Sequence, residues 1–135
     1  EGIQNKGIPS RMHFLRWSHP ITLTHLSNVG VVKDNTLGYA EISGFRCGSC
    51  FEYPGFDPIL MKQLKIRIKP LIVMDVSITS EKYMAFGISA SGSSYIRKLK
   101  DNCFYVGGDF SILWHNSELR DKKAKAFYKE ILGSI

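Results

Sequence analysis

The spacing of apolar residues along the 135-residue chain predicts strands separated by helices. An irregular lead-in over residues 1–10 holds Gly2, Gly7 and Pro9, after which Met12 to Trp17 reads as a short strand. Pro20 stands where a helix starts; Leu23, Leu26 and Val29 recur at helical spacing, and Gly30 ends the run. Val31 and Val32 then open a strand closed by Asp34-Asn35. A strand, a helix and a second strand in so short a stretch point to a parallel sheet, because parallel neighbours need a crossover between them.

Residues 36–58 mix glycine and proline with Phe, Tyr and Cys and show no period. They read as one long loop, and loops of that length inside a compact domain often serve function. Pro70–Ile78 carries Leu71, Ile72, Val73, Met74 and Val76, the continuous apolar run of a strand buried on both faces. A helix over Ser94–Lys100 puts Tyr95, Ile96 and Leu99 on one side, and Phe110–Trp114 reads as another buried strand. A last helix spans Ser117–Leu132, with Ser117 as its cap and Phe127, Ile131 and Leu132 as its apolar stripe. Alternating strands and helices imply an α/β class with parallel strands. About four core strands are too few for a closed barrel. An incomplete sheet with an open edge near Met12–Trp17 is expected, and such an edge tends to pair with another chain.

Charge and cysteine content change this picture little. The formal net charge of +6 invites a nucleic-acid partner. The cations, however, fall into separate groups: Lys62, Lys65, Arg67 and Lys69; Arg97, Lys98 and Lys100; and Arg120 through Lys129, offset by Glu118, Asp121 and Glu130. These read as solvated faces, with no nucleic-acid-binding motif beside them. No apolar run is long enough to span a bilayer. Three cysteines are an odd number and suit a reducing compartment, which favours the cytoplasm. Cys47 and Cys50 form a C-x-x-C, but the residues after it are loop formers rather than a helix start, and further zinc ligands at matching spacing are lacking. Reduced, metal-free packing cysteines are expected.

Three ionisable residues each end or adjoin an apolar strand: Arg46 in Gly44-Phe-Arg-Cys-Gly-Ser-Cys, Asp75 in Leu71-Ile-Val-Met-Asp-Val, and His115 in Ile112-Leu-Trp-His-Asn. Ligands of parallel α/β sheets gather outside the carboxyl ends of the strands. An Asp that holds an imidazole there makes an acid–base site. Each residue taken singly has a plainer reading, as a hydrogen-bonded packing histidine or a loop-fixing aspartate.

The same stretches resemble a family. Phe45-Arg46, Met74-Asp75-Val76 and Leu113-Trp114-His115-Asn116 look like the third, fourth and fifth motifs of the polysaccharide deacetylase (NodB-homology) domain. Arg11-Met-His-Phe-Leu-Arg-Trp, Asp34-Asn-Thr-Leu-Gly-Tyr-Ala, Gly44-Phe-Arg-Cys-Gly-Ser-Cys and Leu113-Trp-His-Asn-Ser are similar to a divergent bacterial branch linked to surface-polysaccharide biosynthesis, over roughly residues 11 to 132. The resemblance implies a partial (β/α) barrel that takes part in removing N-acetyl groups from a carbohydrate with a divalent metal, zinc or similar. In such enzymes a metal-bound water attacks the amide carbonyl, an Asp acts as base, and a His protonates the leaving amine. Carried over by motif, His115 is the general acid, Asp75 orients it, and Arg46 orients the catalytic Asp. His13, Tyr39 and Trp114 become candidate substrate contacts.

The departures bear on activity. The family's Asp-Asp pair has no counterpart in this sequence. His19-Pro20 matches the end of the His-x-x-x-His motif, but Leu15 occupies the partner position, and His13 is too far away in sequence. Cys47 and Gly48 follow Arg46 where the family usually has proline. The resemblance therefore implies that residues 11–135 are the C-terminal part of such a domain. The metal ligands would lie in a missing N-terminal half, which becomes an expected partner, and the chain alone would be inactive. The alternative is a non-catalytic module that keeps the carbohydrate groove for binding or assembly.

Overall fold

The computed structural model describes residues 7–133. Residues 1–6 of the predicted lead-in lie outside the described residues. The chain is a mixed α/β protein whose parallel strands alternate with helices. Its strands form a four-stranded sheet in the order β1-β2-β4-β3 and a two-stranded sheet β5-β6. Among the described residues the strands do not close into a barrel.

The first sheet grows from a β-α-β unit. Strand β1 (Ile8–Ser10) pairs in parallel with β2 (Val31–Asp34), and α1 (Ile21–Asn28) forms the crossover. The edge strand is thus Ile8–Ser10, two residues upstream of the expected one. Met12–Trp17 instead holds a short 3-10 turn over His13–Leu15, in which Phe14 and Leu15 take positive φ. Such backbone excludes strand pairing there. Gly30, at φ 85°, lets the chain reverse from α1 into β2, as a left-handed position after a helix favours glycine.

Strands β3 (Tyr53–Asp57) and β4 (Lys62–Ile68) form an antiparallel hairpin, and β4 also pairs in parallel with β2. The end of the expected 36–58 loop is therefore a strand. In β4, Leu64, Ile66 and Ile68 point inward while Lys65 and Arg67 face solvent. That alternation is the ordinary signature of a half-buried strand. Leu23 of α1 packs on Val31, Leu64, Ile66 and Ile68 to make one core.

The second sheet is shorter than its apolar runs suggest. Only Val73–Met74 (β5) and Ile112–Leu113 (β6) pair, in parallel, and the chain leaves β5 directly into the short helix α2 (Asp75–Thr79). Helix α3 (Ala90–Tyr105) is longer than predicted and is capped by Ser89, whose Oγ accepts from Gly92 N–H at 3.1 Å. The last helix, α4 (Lys122–Gly133), begins after a separate 3-10 turn over Glu118–Arg120. Its cap is Asp121, which accepts from Ala124 N–H at 2.8 Å, and not Ser117, whose side chain makes no capping bond. Ile72, Val73 and Ile78 meet Ile96, Leu99 and Cys103 of α3 and Phe127 and Ile131 of α4 in the larger core. Leu132 is partly exposed and lies outside it.

One cation expected on a solvated face is inside. Lys100 is buried, and its Nζ donates to Ile131 O at 2.7 Å and Leu132 O at 3.4 Å. The ammonium thereby satisfies carbonyls that the end of α4 leaves unpaired. Among the described residues no helix is long and apolar enough to cross a membrane.

Candidate active site

The carboxyl ends of β1, β5 and β6 converge on one cavity of about 590 Å³. Its wall is built by Arg11, His13 and Leu15 after β1, by Met74 and Val76 around the end of β5, and by Leu113 and His115 at the end of β6. The convergence follows from topology: parallel strands send their connections out at the same end, where side chains from distant segments meet.

Asp75 and His115 are in contact there. Asp75, fully buried at the junction of β5 and α2, uses both carboxylate oxygens. Its Oδ1 lies 2.7 Å from His115 Nδ1 and accepts from Val76 N–H at 2.7 Å, while Oδ2 accepts from His115 N–H at 2.6 Å. Two backbone bonds fix the carboxylate, and it in turn fixes the imidazole ring. A carboxylate at Nδ1 makes that nitrogen the donor and leaves Nε2 to face a ligand. The His115 side chain is partly exposed and lines the cavity, so a bound molecule can reach it.

The other predicted residues divide. His13 lines the same cavity beside the exposed ring of Phe14, at a centroid separation of 4.1 Å. Arg46 donates to Gly38 O at 2.8 Å and lies 5.8 Å over the Tyr39 ring. Arg46 and Tyr39 thus pair with each other on the loop, and neither is among the cavity's lining residues. Trp114, which follows β6, packs away from the cavity that its neighbour His115 lines. It packs on Phe127 and Tyr128 of α4 at 6.0 and 5.1 Å, and its buried Nε1 has no hydrogen-bond partner among the described residues.

Sequence reasoning missed Tyr83, Met12 and Ala40 in the cavity wall. Tyr83 is delivered by the turn after α2, where its N–H bonds Ser80 O at 3.0 Å. No periodicity marks it in the sequence. Arg11, which follows β1 and leads to His13, lines the same wall. Its guanidinium bonds Asn35 O at 3.3 Å, and burial pulls its pKa below the ordinary arginine value against the attraction of Asp34. Asp34 itself is buried and accepts from Ser10 Oγ at 2.6 Å and from Thr36 N–H and Oγ1 at 2.9 Å. It ties the ends of β1 and β2 together just behind the cavity.

The cysteines are free. Cys50 does not face Cys47 but sits in the larger core with Cys103. Burial, followed by the neighbouring Cys50 thiol, pushes the Cys103 pKa up to about 12. Among the described residues no group of three or more His, Cys, Asp or Glu side chains is placed to hold a metal ion. Comparison of the chain with protein-family models, with curated proteins and with solved structures finds no match.

Proposed function

We propose that His115 and Asp75 are the acid half of a hydrolytic site of the polysaccharide deacetylase type, acting on the acetamide C–N bond of an N-acetylated carbohydrate. The observation that carries this reading is a cavity-lining imidazole held at Nδ1 by a fully buried carboxylate at the carboxyl ends of two parallel strands. Motif resemblance points to the same two residues. In this reading His115 Nε2 donates a proton to the amide nitrogen as the C–N bond breaks, so that a neutral amine leaves rather than an amide anion. Asp75 holds the ring in the tautomer that presents Nε2 and stabilises the charge of its protonated form. His13 and Phe14 offer polar and flat apolar contacts to a sugar face at the mouth. Arg46, held by Gly38 and Tyr39, would turn toward a catalytic Asp only once that Asp is present. In this reading base and metal would come with the Asp-Asp and His-x-x-x-His elements of the family's pattern, which the 135-residue sequence lacks.

The test is His115→Ala in a protein that includes the complete domain, assayed on N-acetylated oligosaccharides. The expected loss in kcat is about 100-fold or more, the scale of a general acid. The 135-residue chain alone is expected to give no turnover with any added divalent metal. Turnover by the chain alone, abolished by His115→Ala, would contradict the division of the site. The exposed Phe14 ring favours a second reading, a non-catalytic sugar groove. That reading predicts that His115→Ala leaves sugar binding intact in a complete domain that has no turnover to lose.

A further inference from the structure

At the end of the sheet opposite the cavity, the β3–β4 hairpin closes on Pro58-Ile59-Leu60-Met61. Three consecutive large apolar side chains stand in water there, Ile59 75%, Leu60 58% and Met61 74% exposed. Phe56, on the solvent face of β3, adds a ring 46% exposed, and Val29, at the end of α1 and so at the same end of β2, is 75% exposed. Other large apolar side chains are exposed as well, among them Phe14 and, at the end of α3, Phe104, Tyr105 and Val106, but at this tip the apolar turn is followed directly by the cationic strand β4. Met61 sharpens the contrast: it holds a left-handed φ of 48°, a position where a turn ordinarily takes glycine, yet it carries a long apolar side chain.

The tip is built rather than loose. Asp57 Oδ1 accepts from Ile59 N–H at 2.9 Å and Leu60 N–H at 3.0 Å, and its Oδ2 accepts from Thr24 Oγ1 of α1 at 3.1 Å. The apolar side chains are therefore presented on a fixed turn. Behind them β2, β3, β4 and the residue before β3 carry Lys33, Lys62, Lys65 and Arg67 against Asp34, Glu52 and Asp57, a surplus of one positive charge. Glu52 takes Lys33 and Arg67, and Lys62 stands opposite Asp57. Lys65 has no acidic partner among the described residues and faces solvent.

We propose that this hairpin tip docks the protein on an anionic lipid surface, with Ile59, Leu60 and Met61 entering the headgroup boundary and Lys62 and Lys65 meeting the lipid phosphates. A protein partner is disfavoured by size, since a stable interface buries about 800 Å² on each side and the tip is a single narrow turn. A bilayer needs no shape complementarity: a small apolar insertion and a basic collar act together. The geometry leaves the His115 cavity at the far end of the strands, open to the aqueous side. This inference does not rest on the chemistry proposed for that cavity.

The experiment is co-sedimentation of the protein with vesicles of phosphatidylcholine, with and without phosphatidylserine. Binding is expected on the phosphatidylserine vesicles and is expected to weaken as salt is added. The combined substitution Ile59→Ser, Leu60→Ser and Met61→Ser is expected to lower partitioning about 100-fold. Lys62→Gln with Lys65→Gln is expected to lower it about 20-fold. All five side chains face solvent, so the melting temperatures of both variants should match the parent's. Absence of binding to either vesicle, or equal binding by parent and triple variant, would overturn the proposal. So would a dimer that the triple substitution dissociates, which would make a second copy the occupant.

Discussion

Asp75 is a residue whose burial makes sense only through its partners. A carboxylate removed from water costs several kcal/mol unless its oxygens are bonded, and three donors from Val76 and His115 meet it. Asp75→Ala strips all three donors of their acceptor and is expected to lower unfolding free energy by about 3 kcal/mol, read as a lower urea midpoint. Asp75→Asn keeps the shape and one acceptor and should cost about 1 kcal/mol. Equal, negligible losses in both variants would mean that the carboxylate is not what fixes His115. Cys103 gives a prediction in alkaline pH. Its folded pKa is raised by burial and by Cys50, so the unfolded chain ionises first as pH rises. Its contribution is complete below about pH 9, near an unfolded thiol, and is lost as pH climbs toward about 12. Cys103→Ala should flatten the alkaline fall in stability. At neutral pH the half-buried Cys47 should react with a thiol reagent well before Cys50 and Cys103, which react on unfolding.

At the scale of elements, the hairpin depends on Asp57. Hydrogen bonds from Leu60 N–H, Thr24 and Ile59 N–H hold its carboxyl below the usual aspartate range against a raising contribution from burial. The stabilisation is therefore present above the unfolded aspartate pKa of about 4. It is lost as pH falls through the lower folded value. Asp57→Ala should reduce the melting temperature by a few degrees at neutral pH, and the difference from the parent should close in acid. A gap that stays constant with pH would assign the effect to packing instead. The elements also show what periodicity reads well. Leu23 and Leu26 announced α1 because a helix with one face on a sheet must repeat its apolar residues, whereas Val29, read with them, caps the helix and stands exposed. Leu64, Ile66 and Ile68 alternate just as plainly, but their cationic neighbours drew the reading toward charge and hid β4. The run from Leu71 to Val76 is apolar because it is buried on all sides. Such a run carries no period, so the switch from β5 into α2 at Asp75 had no signal in it.

For the whole molecule, the open sheet edge is the feature with the most consequence. Strand β1 has β2 on one side and no strand on the other among the described residues, and Ile8 is exposed on it. Unpaired strand groups tend to recruit another chain. Self-association that rises with concentration is expected in light scattering over a dilution series. A monomer at every concentration would mean that the edge is protected.

The local rules of the chain determined much of this protein. The α/β class, the succession of α1 and β2, and the inward Phe127 and Ile131 of α4 follow from spacing, which acts within a few residues. Asp75 and His115 were legible as candidates because each adjoins the end of an apolar run. Their contact was not, since forty positions separate them and only the parallel pairing of β5 with β6 brings them within 2.7 Å. Tertiary structure alone decided that Trp114 faces α4 while His115 faces the cavity, that Cys50 finds Cys103 rather than Cys47, and that Lys100 is buried under the end of α4. Spacing sets which face of its own element a residue occupies. What that face meets depends on how distant segments stack, and that is a property of the whole chain.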